Sequence, residues 1–209
     1  MNNVLRSILI LLFIMTLIFP IISCSDSKTF RGKVIDADTK EPIEGAVVVA
    51  EWITERTTPT ATHTNLKDVK EVLTDKNGEW SISGPKGRTD ELIPGLSLFI
   101  PYTKEPIFTI FNPGYCPWPL GFEIKACKER IKPGGNGKII EGETIELPKL
   151  TNRQDRLRAV GVGPESIADI LVHKQNARKL KNFFRLLNEE NRFLGLSEYP
   201  IEKELENER

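Results

Sequence analysis

The sequence predicts a mainly β protein, a sandwich of about seven strands with a C-terminal helical appendage. Three observations carry that expectation. From Thr29 to Leu150 the chain breaks into short apolar runs separated by Gly, Pro, Asn and Asp, with no helical pattern between them. From Thr151 onward the β-branched alternation stops and helix formers take over. Ahead of both, Ile8 to Ile22 is an almost unbroken run of Ile, Leu, Phe and Met that stops at Cys24. The expected division is residues 1–23, a leader; 24–28, a polar tether; 29–150, the sandwich; and 151–209, an α-helical region.

The leader run has about the length of a signal-peptide core and falls short of the ~20 residues that a spanning helix needs. Pro20 breaks a helix near its end, which suits a cleavage site, and Arg6 gives a modestly positive start. Ile21-Ile22-Ser23-Cys24 resembles a bacterial lipobox: an aliphatic residue, a tolerant position, a small residue, then the cysteine. The resemblance implies cleavage before Cys24, a diacylglycerol on its sulfur and an acyl chain such as palmitate on its amine. The mature chain would then be anchored in the cell envelope, facing away from the cytoplasm. Each buried methylene contributes ~0.8 kcal/mol, so two or three chains hold firmly what one holds weakly. Ser25-Asp26-Ser27-Lys28 is a short polar tether. Ser25, where an aspartate often retains such proteins on the inner membrane, favours the outer membrane.

Charge narrows the function. The 29 Lys+Arg balance 29 Asp+Glu, and removing the leader takes away only Arg6, so the mature chain is close to neutral. That argues against a general nucleic-acid binder. About 185 residues suffice for one sizeable core, or a core with a helical appendage. With Cys24 lipidated, Cys116 and Cys127 remain, and in an oxidising envelope they are expected to pair, the alternative being two separate thiols. No CxxC pair occurs and the histidines are only His63 and His173, so neither a metal site nor a cofactor is expected.

The strands follow in order. "TFRGKVID" alternates Phe30, Gly32 and Val34 with polar neighbours. "ADTKEPIEGA" is turn chemistry, and Pro42 and Gly45 reverse the chain into the β-branched run "AVVVAEWIT". There Ala46, Val48 and Ala50 share one face at period two, which Trp52 extends. Glu55 to Asp68, rich in Thr and without clear period, reads as a loop or a long exposed hairpin tip. "KEVLTDKNGEWSIS" gives a strand, an Asn77-Gly78 turn suited to a tight hairpin, and a strand placing Trp80 and Ile82 on one face. "LSLFIPY", "PIFTIF" and "GKIIEGETIELPKL" complete the set.

"GKVIDADTKEPIEGAVVVAEW" and "VLTDKNGEWSIS" together resemble the carboxypeptidase regulatory-like domain, a transthyretin-like sandwich of the broad Ig-like kind. The matching residues are Gly32, Val34, Asp36, Thr39, Pro42, Ile43, Gly45, Ala46 and Val48, then Thr74, Asp75, Gly78, Trp80 and Ile82. The match covers roughly residues 29–84 and continues more vaguely through "IFTIFNPGYCPWP". The pattern's T-G-x-P turn is altered here, since Lys40 follows Thr39. All of these are core and turn residues, and none implies chemistry.

In the tail, Leu180, Phe183, Phe184 and Leu187 fall at i, i+3, i+4 and i+7, an apolar stripe expected to pack on the sandwich or on other helices. Lys174, Arg178, Lys181 and Arg185 read as a basic line on the same helix, either a solvated face or a contact for anionic headgroups or an acidic partner. Val160-Gly161-Val162-Gly163 before a helix resembles the hairpin of helix-hairpin-helix modules, although glycines ahead of Pro164 also make an ordinary interhelical turn. Catalysis finds no support: His63 and His173 are isolated, and Cys116 between Tyr115 and Pro117 has no adjacent base. The expected function is a non-enzymatic, lipid-anchored envelope protein whose sandwich contacts a protein or glycan. The alternative is a tethered binder of nucleic acid or anionic surfaces acting through the tail.

Overall fold

The alternation of apolar residues in the first two strands becomes two facing sheets with a shared interior. The computed structural model describes residues 27–86, 101–119, 124–128, 137–161, 163–164 and 174–199. Its strands are β1 (Thr29–Asp36), β2 (Val47–Thr57), β3 (Thr62–Leu73), β4 (Glu79–Ser83), β5 (Tyr102–Thr103), β6 (Ile107–Phe111) and β7 (Glu143–Leu147). Its helices are α1 (Lys125–Lys128), α2 (Arg153–Ala159), α3 (Lys174–Arg178) and α4 (Lys181–Leu194). The lipobox, with Cys24, lies outside the described residues, as do residues 97–100 of the expected strand "LSLFIPY". Among the described residues no helix is long and apolar enough to cross a membrane.

In the first sheet β1 is central, antiparallel to β4 and parallel to β7. In the second, β2 pairs antiparallel with β3 along one side, and on the other with β6 and then β5. The sandwich core collects Phe30, Val34, Trp80, Ile82, Ile145 and Leu147 from the first sheet. Opposite them lie Ala46, Val48, Ala50, Trp52, Phe108 and Ile110, so the period-two face expected of β2 points inward. Phe108 is central, its ring 5.4 Å from Phe30 and 5.5 Å from Trp80. Fully burying each such side chain contributes about 1.5–3 kcal/mol.

The outward face of β2 is covered as well. Val47, Val49, Val69 and Phe111 form a second cluster with Ala177, Leu180, Phe183, Phe184, Leu186 and Leu187 of the tail. The apolar stripe thus packs on a sheet face, with Phe183 edge-on to Phe111 at 6.0 Å. Burial on both faces is the physical reason Ala46–Ala50 reads as a continuous apolar run rather than an alternation. Glu51, on the same outward side, is also fully buried.

Two expectations are corrected and one left open is decided. The Asn77-Gly78 turn closes no hairpin, because β3 and β4 belong to different sheets. It carries the chain across the sandwich: Asp75 Oδ1 accepts from the Asn77 and Glu79 amides, and Gly78, at φ 74°, accepts the Val34 amide on its carbonyl. Second, of the two readings of Glu55–Asp68 the long exposed hairpin holds, paired from Ile53↔Leu66 to Thr57↔Thr62 beyond a bulge at Trp52/Ile53. Third, one helical turn, α1, interrupts the stretch expected to hold only strands, with Cys127 bonded there to Cys116.

The turn after β1 is held by the Asp36 side chain. Asp36 Oδ1 accepts from the Asp38 and Thr39 amides, and Lys40 takes a left-handed conformation at φ 63°. The Lys40 side chain reaches Glu146 at 2.7 Å.

Candidate functional site

The β2–β3 hairpin extends past the core. Its last fully buried residues are Trp52 and Val69, and partly buried Leu66 packs against the outer cluster beyond them, yet strand pairing continues to Thr57↔Thr62. Thr58-Pro59-Thr60-Ala61 forms the turn: the Thr58 amide and hydroxyl both donate to the Ala61 carbonyl, and the Ala61 amide donates back to Thr58 Oγ1. Residues 59–65 are exposed, including Thr60, Thr62, Thr64, His63 and Asn65. Among the described residues β3 pairs only with β2, so its other side is a strand edge.

The edge is guarded along part of its length. Lys67 donates to Thr103 Oγ1 at 2.7 Å, and Lys70 turns inward to the Ser83 carbonyl at 2.7 Å, over the Trp52 ring. A bulge with neighbouring lysines discourages further strand pairing. Among the described residues Thr62 to Leu66 has no such guard. Opposite Thr64, Glu55 accepts from Tyr102 Oη and pairs with Lys104, which raises the Lys104 pKa despite some burial.

The tail is fixed to β3 by charge as well as by apolar contact. Leu180, the N-cap of α4, supplies no side-chain acceptor, so the first amides of that helix need one from elsewhere. Glu71 provides it, its two carboxylate oxygens accepting from the Asn182 and Phe183 amides at 2.7 and 2.8 Å. Burial pushes the Glu71 pKa up, and the amide hydrogen bonds offset this only in part. Lys179 meets Asp68 at 2.5 Å. At the far end of α4, Arg156 of α2 grips the buried Glu190 with two nitrogens, and Arg153 donates to the Leu194 carbonyl.

The basic line is divided. Arg178 ends α3, while Lys181 and Arg185 belong to α4, because non-helical Leu180 separates the two helices. Lys181 and Arg178 are exposed, and Arg185 is half-buried 4.0 Å from Glu189. Lys174 begins α3, and its side chain lies outside the described residues. Of the hairpin-like glycines, Gly161 follows the end of α2 and donates to the Arg158 carbonyl, while residues 165–173, including His173, lie outside the described residues. His63 stands exposed on β3, opposite Arg56.

Cys116 and Cys127 form a disulfide, both fully buried with Ile124, Leu150 and Ala159. Beside it Tyr115 donates to Asp36 Oδ2 at 3.1 Å. Burial alone would raise the Asp36 pKa, but the Thr39 and Asp38 amides, the Tyr115 hydroxyl and the Lys149 charge outweigh it and hold it low. Sequence reasoning found the cysteine pair and the hairpin segment. It missed Glu71 and the Arg156–Glu190 pair; the one available signal was the missing cap residue before Lys181.

No family model and no curated protein matches the chain. Solved structures give distant likenesses. A 9R-lipoxygenase from Cyanothece PCC8801 aligns at 12% identity and a TM-score of 0.28, over 59% of this chain and 17% of that one. The shaft pilin SpaA from Lactobacillus rhamnosus GG, as an E269A/D295N double mutant, aligns at 12% identity and a TM-score of 0.24, over 61% and 52%. The chain thus matches about a sixth of the first and half of the second.

Proposed function

We propose that this chain is a non-enzymatic, lipid-anchored protein of the bacterial cell envelope, built on a carboxypeptidase regulatory-like sandwich that works by contact. The anchor reading rests on Ile21-Ile22-Ser23-Cys24 at the end of the apolar run. The contact reading is carried by one observation: a strand-paired hairpin that continues past the core and ends in exposed polar residues. A strand edge of this kind accepts another strand through main-chain hydrogen bonds, with alternate side chains giving selectivity.

The test is crosslinking in intact cells from a photoreactive residue at position 62, compared with one at exposed position 144 on β7. A partner captured from the hairpin alone supports the reading. Equal capture from both positions, or from neither, overturns it. Hydrolysis of a peptide, ester or glycan that is abolished by His63→Ala, His173→Ala or Cys116→Ala would overturn the non-enzymatic part. A second reading, binding of anionic surfaces by the tail, is favoured by the exposure of Arg178 and Lys181. It requires that binding fall steeply with added salt.

A further inference from the structure

We propose that the tip of the β2–β3 hairpin is an O-glycosylation site, with Thr60, Thr62 and Thr64 as acceptors. Five of the eight residues from Thr57 to Thr64 are threonine, and Pro59 and Ala61 lie among them. Threonine-rich segments with proline are the composition of O-glycosylated protein. Composition alone would be weak, but the structure sorts the hydroxyls. Thr58 is engaged in both directions with Ala61, so its oxygen is committed to the turn. Thr60, Thr62 and Thr64 are exposed, and Thr60 Oγ1 has only a 3.5 Å approach to Thr58. Pairing of Thr57 with Thr62 and of Glu55 with Thr64 keeps the backbone extended. Strand alternation then puts Thr62 and Thr64 on one face, about 7 Å apart.

Several other threonines of the described chain are unsuited. Thr74, Thr103 and Thr109 are buried, Thr29 is bonded to Ser83, and Thr39 accepts the Glu41 amide. The tip is also where a sugar has a physical use. Beyond Glu55, where the pairing with β5 ends, the hairpin is a two-stranded ribbon, marginal by itself and exposed at its edge, and hydrated sugars on its face hinder unselective pairing and proteolysis. The glycans would stand perpendicular to the main-chain edge and leave its hydrogen-bonding groups in place.

The step is a glycosyl transfer. The threonine Oγ1 attacks the anomeric carbon of a sugar activated as a phosphate ester. A C–O bond forms there as the bond to the phosphate oxygen breaks. The nucleoside diphosphate or polyprenyl phosphate leaves with the electron pair, and the hydroxyl proton passes to a base of the transferase. The inference rests on the envelope reading only in that a chain facing away from the cytoplasm meets lipid-linked donors.

The experiment uses the full protein purified from its own cells. Trypsin cuts after Arg56 and Lys67, releasing Thr57–Lys67 as one peptide. Fragmentation that preserves side-chain modifications should place whole sugar residues on Thr60, Thr62 or Thr64. Joint substitution Thr60→Val, Thr62→Val and Thr64→Val, which keeps β-branched side chains, should return the peptide to its unmodified mass. A single sugar or an oligosaccharide on these threonines supports the site, and the donor class is read separately by whether the transfer in membranes requires added nucleotide sugar or polyprenyl-linked sugar. A wild-type peptide found only at its unmodified mass, or carrying sugar only elsewhere, overturns the proposal. The same digest reads the anchor separately. Acylated Cys24 with a bare 57–67 peptide refutes the glycan site alone, whereas a chain still starting at Met1 refutes the envelope reading.

Discussion

Replacing Gly78 with alanine isolates what the turn between β3 and β4 contributes. Gly78 and Gly45 have nearly the same backbone conformation, φ 74° and 76°, but different surroundings. A Cβ at Gly45 meets nothing within 4 Å, whereas at Gly78 it would lie 2.3 Å from the Val34 carbonyl oxygen and 3.2 Å from Pro42 Cβ. For Gly45→Ala, the left-handed conformation costs roughly 1–2 kcal/mol, offset by ~0.5–1 kcal/mol of unfolded-state entropy that alanine lacks. The net cost is about 0.5–1 kcal/mol. Gly78→Ala carries the same charge-free backbone cost plus displacement of the Val34 carbonyl, which accepts the Ile43 amide at 3.1 Å. Overpacking of this kind costs about 1–3 kcal/mol, so the total comes to about 1.5–4 kcal/mol. Urea unfolding of both variants, with the disulfide intact and unchanged m values, measures the difference directly. If Gly78→Ala costs no more than Gly45→Ala, the turn is not wedged against β1 and the reasoning fails.

Removing the disulfide by Cys116→Ser and Cys127→Ser should cost about 2–3 kcal/mol, the loop entropy for a separation of 11 residues, and alkylation without reductant should leave both native thiols unlabelled. Arg156→Ala leaves Glu190 buried without its partner and should cost about 3–5 kcal/mol, while the joint change Arg156→Met and Glu190→Leu should recover most of the loss in thermal unfolding. Glu71→Ala removes the cap of α4 and should cost ~1 kcal/mol, read by loss of helical circular dichroism. Because the folded-state pKa of Glu71 is raised, stability should fall as pH rises from its ordinary 4.5 through that raised value, and Glu71→Gln should flatten this interval in pH-dependent urea unfolding. Asp36 has the opposite sign: its contribution is present above the ordinary 3.8 and lost as pH falls through its lowered value, a dependence that Asp36→Asn should remove.

What could be read from the sequence was whatever acts locally. Period-two spacing put Ala46, Val48, Ala50 and Trp52 on the core face, and helical spacing grouped Leu180, Phe183, Phe184 and Leu187. The Asn77-Gly78 signal located a turn correctly, but the same local chemistry serves a hairpin or a crossing between sheets, and only distant pairing of β4 with β1 decides between them. Glu71 was invisible for a similar reason: it caps a helix 111 residues away, so no spacing rule reaches it. The basic line was misjudged as one helix because Leu180 is an ordinary helix former whose non-helical conformation is set by its neighbours. The hairpin tip lacked a clear period because its polar strands have no buried face to impose one.

The double covering of β2 also sets an order of events in time. Synthesis delivers β2 and β3 more than a hundred residues before α4, and both faces of β2 are fully covered only when the last described helix arrives. Until then Val47, Val49 and Phe111 form an apolar wall beside the edge of β3, which among the described residues pairs only with β2. Such long-range closure slows folding and prolongs exposure to association with other chains. A chain stopped before Leu180 should therefore form its inner core and still aggregate, and a holding chaperone should bind it longest through that outer wall.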